Sequence, residues 1–344
     1  MSAEPPSAKG RAHARAALLG NPSDGYGGAT IGFALREFAA EAQIRTADRL
    51  EIVPARQDSN TFADYDDLLA DVAANGYYGG LRLVKAALKR FAEHCRARGV
   101  EPSGKLSVSY ASTIPRQVGL GGSSAIVIAT LRALCEINGI DLAPAELARL
   151  ALSAEAELGI PAGLQDRVIQ AYDGLVYMDF GEGVDEPFVR LDPSLLPPIF
   201  VAFRTDASEP SAAVHARLRS RFDDGDPVVV EGMREIARLA QAGREALIAG
   251  DRAELGRLMS ANVEARARLV PLDPRHLRMV ELAASLGAPA NYTGSGGAIV
   301  ALMQDGDADR IRDAFAAERC GVVFPGLLAR AESPDFVPSH VTGR

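Results

Sequence analysis

The eleven residues Pro115 to Ala125, P-R-Q-V-G-L-G-G-S-S-A, constrain this chain more than any other stretch. Before them, Lys105 to Tyr110 alternates polar and apolar residues, the pattern of a half-buried strand. After them, Ala125, Ile126, Val127, Ile128, Ala129, Thr130, Leu131, Ala133 and Leu134 read as an apolar helix. A strand, a turn with three glycines and two serines, and a helix start therefore follow one another. Glycine lets a backbone approach a ligand with no Cβ in the way. The unpaired N–H groups and positive dipole end of a helix start attract anions. Gly119, Leu120, Gly121, Gly122, Ser123, Ser124 and Ala125 thus read as a phosphate cradle. A plain strand-to-helix turn with a serine cap remains the alternative, and the two hydroxyls are open to capping or to reaching a metal ion.

Other nucleotide motifs are excluded. No G-x-x-x-x-G-K-[ST] occurs in the chain. Nor does G-x-G-x-x-G followed by an acidic residue at dinucleotide-fold spacing.

The length, 344 residues, suits two ordinary domains or one large one, and 47% hydrophobic content is enough for a sizeable core. A formal net charge of -8 with no basic cluster argues against a nucleic-acid partner. Cys95, Cys135 and Cys320 lie far apart with no C-x-x-C, which predicts reduced thiols and a cytoplasmic protein. Met1 to Arg11 has no apolar segment of signal type, and no run nears eighteen apolar residues, so no membrane partner is expected.

Periodicity predicts a disordered tail over 1–11, then strands at His13 to Leu19, Ala29 to Leu35, Arg49 to Val53 and Gly174 to Phe180. Helices are expected from Leu81 to about Arg98 and from Ala143 to about Leu158, with an acid-rich amphipathic segment at Asp64 to Ala74. Leu195 to Pro198 reads as a linker, dividing the chain into domains 12–194 and 195–344. Beyond it come a strand at Ile199 to Phe203, a loop with Ser208, Ser211 and His215 (a capping or packing histidine), and four helices to Ser285. Strands Ala290 to Tyr292 and Ala298 to Leu302, a helix from Asp307 to Ala316 and a strand at Gly321 to Phe324 complete the series.

Three further stretches are too polar or too glycine-rich for simple connections. Gly20 to Gly28 places Asn21, Asp24 and Tyr26 at the carboxyl end of a strand, where ligands commonly sit. Glu155 falls near the apolar face of its helix, so its carboxylate needs a partner, and a magnesium ion would serve; Glu157 suits solvent better. Gly159 to Asp166 packs Gly, Pro and Gly before Gln165 and Asp166. Gly294, Ser295, Gly296 and Gly297 stand between two strands, where a tight hairpin would also explain them.

Pro115 to Ala125 resembles the phosphate-binding motif of the galactokinase, homoserine kinase, mevalonate kinase and phosphomevalonate kinase superfamily, the GHMP kinases. Arg15 with Leu18 to Gly27 is similar to that family's first motif, with Asn-Pro-Ser where many sugar kinases have Glu-His. Asn291 to Val300, N-Y-T-G-S-G-G-A-I-V, is similar to its third. The resemblance implies a two-domain α+β fold, with an N-terminal domain like domain 2 of ribosomal protein S5 and a ferredoxin-like C-terminal domain. It also implies ATP as phosphoryl donor and Mg²⁺ held by Ser123 and Glu155. Asp166, eleven residues after Glu155, would stand at the acceptor hydroxyl. Arg15, Asn21, Asp24, Tyr26 and Gly294 to Gly297 would shape the pocket of a small sugar or sugar acid.

The run L-L-G-N-P-S-D-G-Y and the stretch Ala154 to Val168 are most similar to glucuronokinases, which implies phosphorylation of the anomeric hydroxyl of D-glucuronate. A uronate carboxylate wants an arginine, and Arg15, Arg82, Arg116 and Arg167 are candidates. A galactose, fucose or heptose kinase, a mevalonate-pathway enzyme and a non-catalytic nucleotide binder are the rivals. The three motifs contain no lysine.

Overall fold

The strand Ala29–Thr46 (β2) organises the first half of the chain. One of its edges pairs antiparallel with Ser7–Leu19 (β1). The other edge pairs with Leu106–Ser112 (β4) and Leu175–Asp179 (β5). Glu51–Ile52 (β3) adds to β4 in parallel, and Phe188–Leu191 (β6) adds to β5, completing a six-stranded sheet. The computed structural model describes residues 6–55, 58, 79–160, 163–204, 211–303 and 306–326. Asp64 to Ala74, Tyr77 and Ser208 lie outside the described residues, as do the side chains of Ser211 and His215.

β1 begins at Ser7, inside the stretch expected as a disordered tail. Ala8, Gly10 and Ala12 face inward and Ser7, Lys9 and Arg11 outward. Such small inward residues carry little hydrophobic signal, but they let a helix approach closely. A Cβ on Gly10 would lie 1.8 Å from the Ala129 carbonyl oxygen, in the helix that packs across this strand.

That helix is Gly122–Asn138 (α2), buried continuously from Ser124 to Leu131. It is flanked by Gly80–Arg96 (α1), which turns Leu83, Val84, Ala87, Phe91 and Cys95 inward as its periodicity predicts, and by Pro144–Glu157 (α3). Gln165–Tyr172 forms a short helix (α4) that the sequence pattern did not suggest. Asp166 therefore stands on the first turn of a helix rather than in a loop. Eight residues are too few for a 3.6-residue period to stand out.

The second sheet is antiparallel in the order β10-β7-β9-β8, from Ile199–Phe203 (β7), Ala290–Tyr292 (β8), Ala298–Leu302 (β9) and Gly321–Val323 (β10). Its helices are Ser211–Asp223 (α5), Pro227–Ala249 (α6), Arg252–Leu269 (α7), Pro274–Ser285 (α8) and Ala308–Ala317 (α9). Asp226, Asp251 and Asp273 cap α6, α7 and α8 by accepting from the backbone N–H of Val228, Glu254 and Arg275.

The two sheets share a core. α6 and α7 pack back onto β1, so Leu19, Ala240, Leu247, Met259 and Val300 belong to one apolar cluster. A Cβ on Gly243 would lie 2.2 Å from Leu19 Cδ1. This packing brings three connections to one junction: Gly20 to Gly28, the loop before α2, and the turn between β8 and β9.

Candidate active site

The loop before α2 turns through Gly119 and Gly121, at φ 70° and 73°. No side chain caps the helix that follows. Ser124 Oγ instead donates back to the Gly121 carbonyl oxygen at 3.1 Å, which also accepts Gln170 Nε2 at 2.8 Å. The N–H groups of the first turn are thus left uncovered by any capping hydroxyl, the arrangement that binds anions. Ser124 holds the turn, and Ser123 lies partly exposed beside it.

The turn between β8 and β9 lies against this loop, backbone to backbone. A Cβ on Gly119 would come within 2.7 Å of the Gly296 carbonyl oxygen, and one on Gly294 within 2.6 Å of the Gly119 oxygen. Two buried arginines hold the contact. Arg15 Nη1 donates to the Thr293 oxygen at 2.9 Å and also to that of Gly119. Arg266, from α7, donates to the oxygens of Gly294 (2.6 Å) and Ser295 (2.7 Å) and to Asn21 Oδ1 (3.0 Å). Asn262, one helical turn earlier, accepts from Gly20 N at 2.8 Å and donates to the Asn21 oxygen at 3.3 Å.

The carboxylates form a second layer. Arg15 Nε and Nη2 meet Asp166 Oδ1 and Oδ2 at 2.6 and 2.7 Å. Arg167 Nε donates to Glu155 Oε2 at 2.5 Å, and its Nη1 donates to the Gly163 oxygen at 2.9 Å and sits 3.9 Å from Asp166 Oδ2. Burial would raise the Asp166 carboxyl, but Arg15 and Arg167 outweigh it and hold the group below the usual carboxylate range. Burial pushes Glu155 up, against the pull of Arg167. Asp24 rises to about 7, through burial first and then repulsion by Asp166. A junction with one carboxyl pKa lowered and a second raised to about 7 is an expected site of chemistry.

Residues 82–174 match the family pattern described as GHMP kinases N terminal domain, and residues 244–320 match GHMP kinases C terminal. Glucuronokinase 1 of Arabidopsis thaliana is 40% identical over 311 residues, covering 86% of this chain and 85% of that protein. The chain belongs to the GHMP kinase family. Mevalonate kinase of Pyrococcus furiosus is 27% identical over 209 residues, covering 57% of this chain and 59% of that protein. The same fold occurs in Lactococcus lactis galactokinase complexed with galactose, with a TM-score of 0.72 at 15% identity over 93% of both chains. Methanococcus jannaschii mevalonate kinase shares it with a TM-score of 0.71 at 18% identity, covering 96% of this chain and 100% of that one.

Around this GHMP kinase site the structure gathers the residues of all three motifs, but not all as pocket walls. Arg15, expected at the substrate, is 5% exposed and committed to Asp166, Gly119 and Thr293. Arg167, a candidate for a substrate carboxylate, is likewise buried against Glu155. Arg116 is exposed at the surface and Arg82 is partly exposed at the start of α1. Tyr26 packs its ring on Phe222, centroids 4.8 Å apart, beneath Arg219. Glu157 pairs with Lys89 at the surface, so the buried carboxylate of α3 is Glu155.

Glu155 Oε1 is buried without a hydrogen-bond partner while Oε2 is taken by Arg167. One free, buried carboxylate oxygen fits a cation ligand. Among the described residues no three His, Cys, Asp or Glu side chains gather to hold a metal.

Arg266, Asn262 and Gln170 are the contributors that sequence reasoning missed. Nothing local marks Arg266: Arg268, two residues on, is an exposed arginine paired with Glu235. Among the described residues no cysteine is in a disulfide, and no helix is long and apolar enough to cross a membrane.

Proposed function

We propose that this GHMP kinase transfers the γ-phosphoryl group of ATP to the anomeric hydroxyl of D-glucuronate, giving D-glucuronate 1-phosphate and ADP. The observation that carries the chemistry is the single guanidinium of Arg15, which ties Asp166 to the phosphate loop at Gly119. The likeness to a glucuronokinase over most of the chain supports the acceptor.

Phosphoryl transfer asks a protein for positioning and charge more than for covalent chemistry. The N–H groups from Gly119 to Ser124 hold the ATP phosphates, while that of Ala125, expected among them, is taken by the Gly121 oxygen at 3.0 Å. Ser123 and Glu155 would hold Mg²⁺, which when bound would neutralise charge on the phosphates. Asp166 accepts a hydrogen bond from the acceptor hydroxyl, orients it, and takes its proton late in the transfer. Its lowered pKa makes it a weak base but a carboxylate that stays ionised, which is what a loose transition state needs. Asn21, Asp24 and the backbone of Gly294 to Gly297 would face the acceptor, with Tyr26 packed behind them on Phe222. Cysteines outside any disulfide support a reducing, cytoplasmic setting.

The test is a coupled ADP-release assay with Mg²⁺ and ATP against D-glucuronate, D-galacturonate, D-glucose, D-galactose, L-fucose and mevalonate. Preferred turnover of D-glucuronate, with the product identified as the 1-phosphate, is the expected result. Preference for a neutral sugar would remove the uronate assignment and keep the kinase.

A further inference from the structure

Three arginines are buried at this junction, and they are compensated differently. Arg15 is paired with Asp166, and Arg167 with Glu155. Arg266, 6% exposed, donates only to neutral oxygens, those of Asn21, Gly294 and Ser295. Among the described residues no carboxylate pairs with it, and its Nε is buried without an acceptor. Its guanidinium lies 4.8 Å from the Tyr292 ring centroid. Burial lowers its pKa to about 10, which leaves it cationic at neutral pH. A buried cation without an anion is costly, and such groups are ordinarily completed by a partner or a ligand.

Asn21, in the first motif, accepts from Arg266 Nη1 through Oδ1 at 3.0 Å. A guanidinium cannot accept a hydrogen bond, so the amide atom facing Arg266 Nη1 is the oxygen. Nδ2 is therefore turned away from the guanidinium. Among the described residues no acceptor takes it, and it is not one of the fully buried atoms. Its two N–H groups are free for a ligand and are polarised by the cation behind them.

We propose that Arg266 and Asn21 together read the carboxylate of the acceptor: Asn21 Nδ2 donates to it, and Arg266 supplies the balancing positive charge through the amide. This deepens the proposed function and rests on its uronate acceptor. The charges of Arg15 and Arg167 are already answered within the protein, which leaves Arg266 as the buried cation that an anionic sugar completes. Asn21 touches substrate, and Arg266 acts through it as a positioning residue.

The test compares D-glucuronate with D-glucuronamide, its uncharged isostere, in the wild type and in Asn21→Asp and Arg266→Gln. Asn21→Asp places a carboxylate on Arg266 inside the protein and removes the donor at nearly constant volume. The wild type is expected to favour glucuronate in kcat/KM by about 30-fold or more, mainly through KM. Both variants are expected to bring that ratio within about threefold. Thermal melting establishes that each variant is folded; if Arg266→Gln is not, Asn21→Asp decides. A wild type that turns over glucuronate without preferring it to the amide, or an Asn21→Asp enzyme that keeps the preference, overturns the Arg266–Asn21 assignment alone. A wild type that phosphorylates neutral sugars and not glucuronate overturns the uronate acceptor, and this assignment with it.

Discussion

Arg15 grips both oxygens of Asp166, with Nε 2.6 Å from Oδ1 and Nη2 2.7 Å from Oδ2, while its Nη1 reaches the carbonyls of Gly119 and Thr293. One side chain therefore sets the position of the Asp166 carboxylate, proposed to orient the acceptor, relative to both glycine loops. Arg15→Lys keeps the charge and loses the planar fork. Its kcat is expected to fall about 100-fold or more, because small misplacements cost that much in a transfer that depends on geometry. Steady-state kinetics in both substrates checks this, with the KM for ATP changing far less than kcat.

Asp166→Asn conserves volume and removes the charge. Its kcat is expected to fall by about 10²–10⁴, the usual contribution of a positioned acid–base group. Calorimetric titration with a non-hydrolysable ATP analogue should show nucleotide binding retained. A variant that keeps the wild-type kcat would remove Asp166 from the mechanism.

Glu155→Gln removes the carboxylate in direct contact with Arg167 and leaves only Asp166, at 3.9 Å, to face it, with the original side chains only 1% and 4% exposed. Breaking a buried pair in this way costs about 3–5 kcal/mol, so the melting temperature should fall clearly. The stabilisation that Mg²⁺ adds to ATP-bound protein should shrink, while that from ATP with chelator should not. An undiminished Mg²⁺ increment would place the ion elsewhere.

Gly119→Ala tests the contact between the loops. The position has φ 70°, and its Cβ would lie 2.7 Å from the Gly296 oxygen. The left-handed conformation alone costs about 1–2 kcal/mol for alanine, and the clash must also push the two loops apart. ATP affinity is expected to fall together with melting temperature; a variant that melts and binds ATP as the wild type does would mean that the loops are not in contact.

The stability of the protein should depend on Asp24 with a definite sign. Burial raises its folded pKa from an ordinary 3.8 to about 7. Between those values the folded state holds the proton and the unfolded state has released it, so stability falls as pH rises through that window. Asp24→Asn removes the decline. Denaturant midpoints measured from pH 4 to 8 should show the variant gaining on the wild type up to about pH 7, then levelling. A constant difference would mean that Asp24 titrates alike in both states.

Much of the fold was legible because its signals are local. The polar–apolar alternation of Lys105 to Tyr110, the unbroken apolar run of α2 and the glycines that punctuate the three loops each depend on a few neighbouring residues. What was illegible had weak local signals: the small-residue alternation at the start of β1, the eight residues of α4, and the short strand β6.

The chain by itself marked the glycine–serine loop and the order of the three motifs, because those signals are local, and the resemblance of the motifs pointed to Glu155 and Asp166. Only the tertiary structure decided which charges answer one another. Arg15 meets Asp166 across 151 positions and Arg266 meets Asn21 across 245. Sequence spacing does not distinguish the buried Arg266 from the exposed Arg268, because ion pairing in a desolvated junction depends on where whole elements pack. That packing, α7 onto β1 and the β8–β9 turn onto the loop before α2, leaves Arg15 and Arg167 neutralised and Arg266 not.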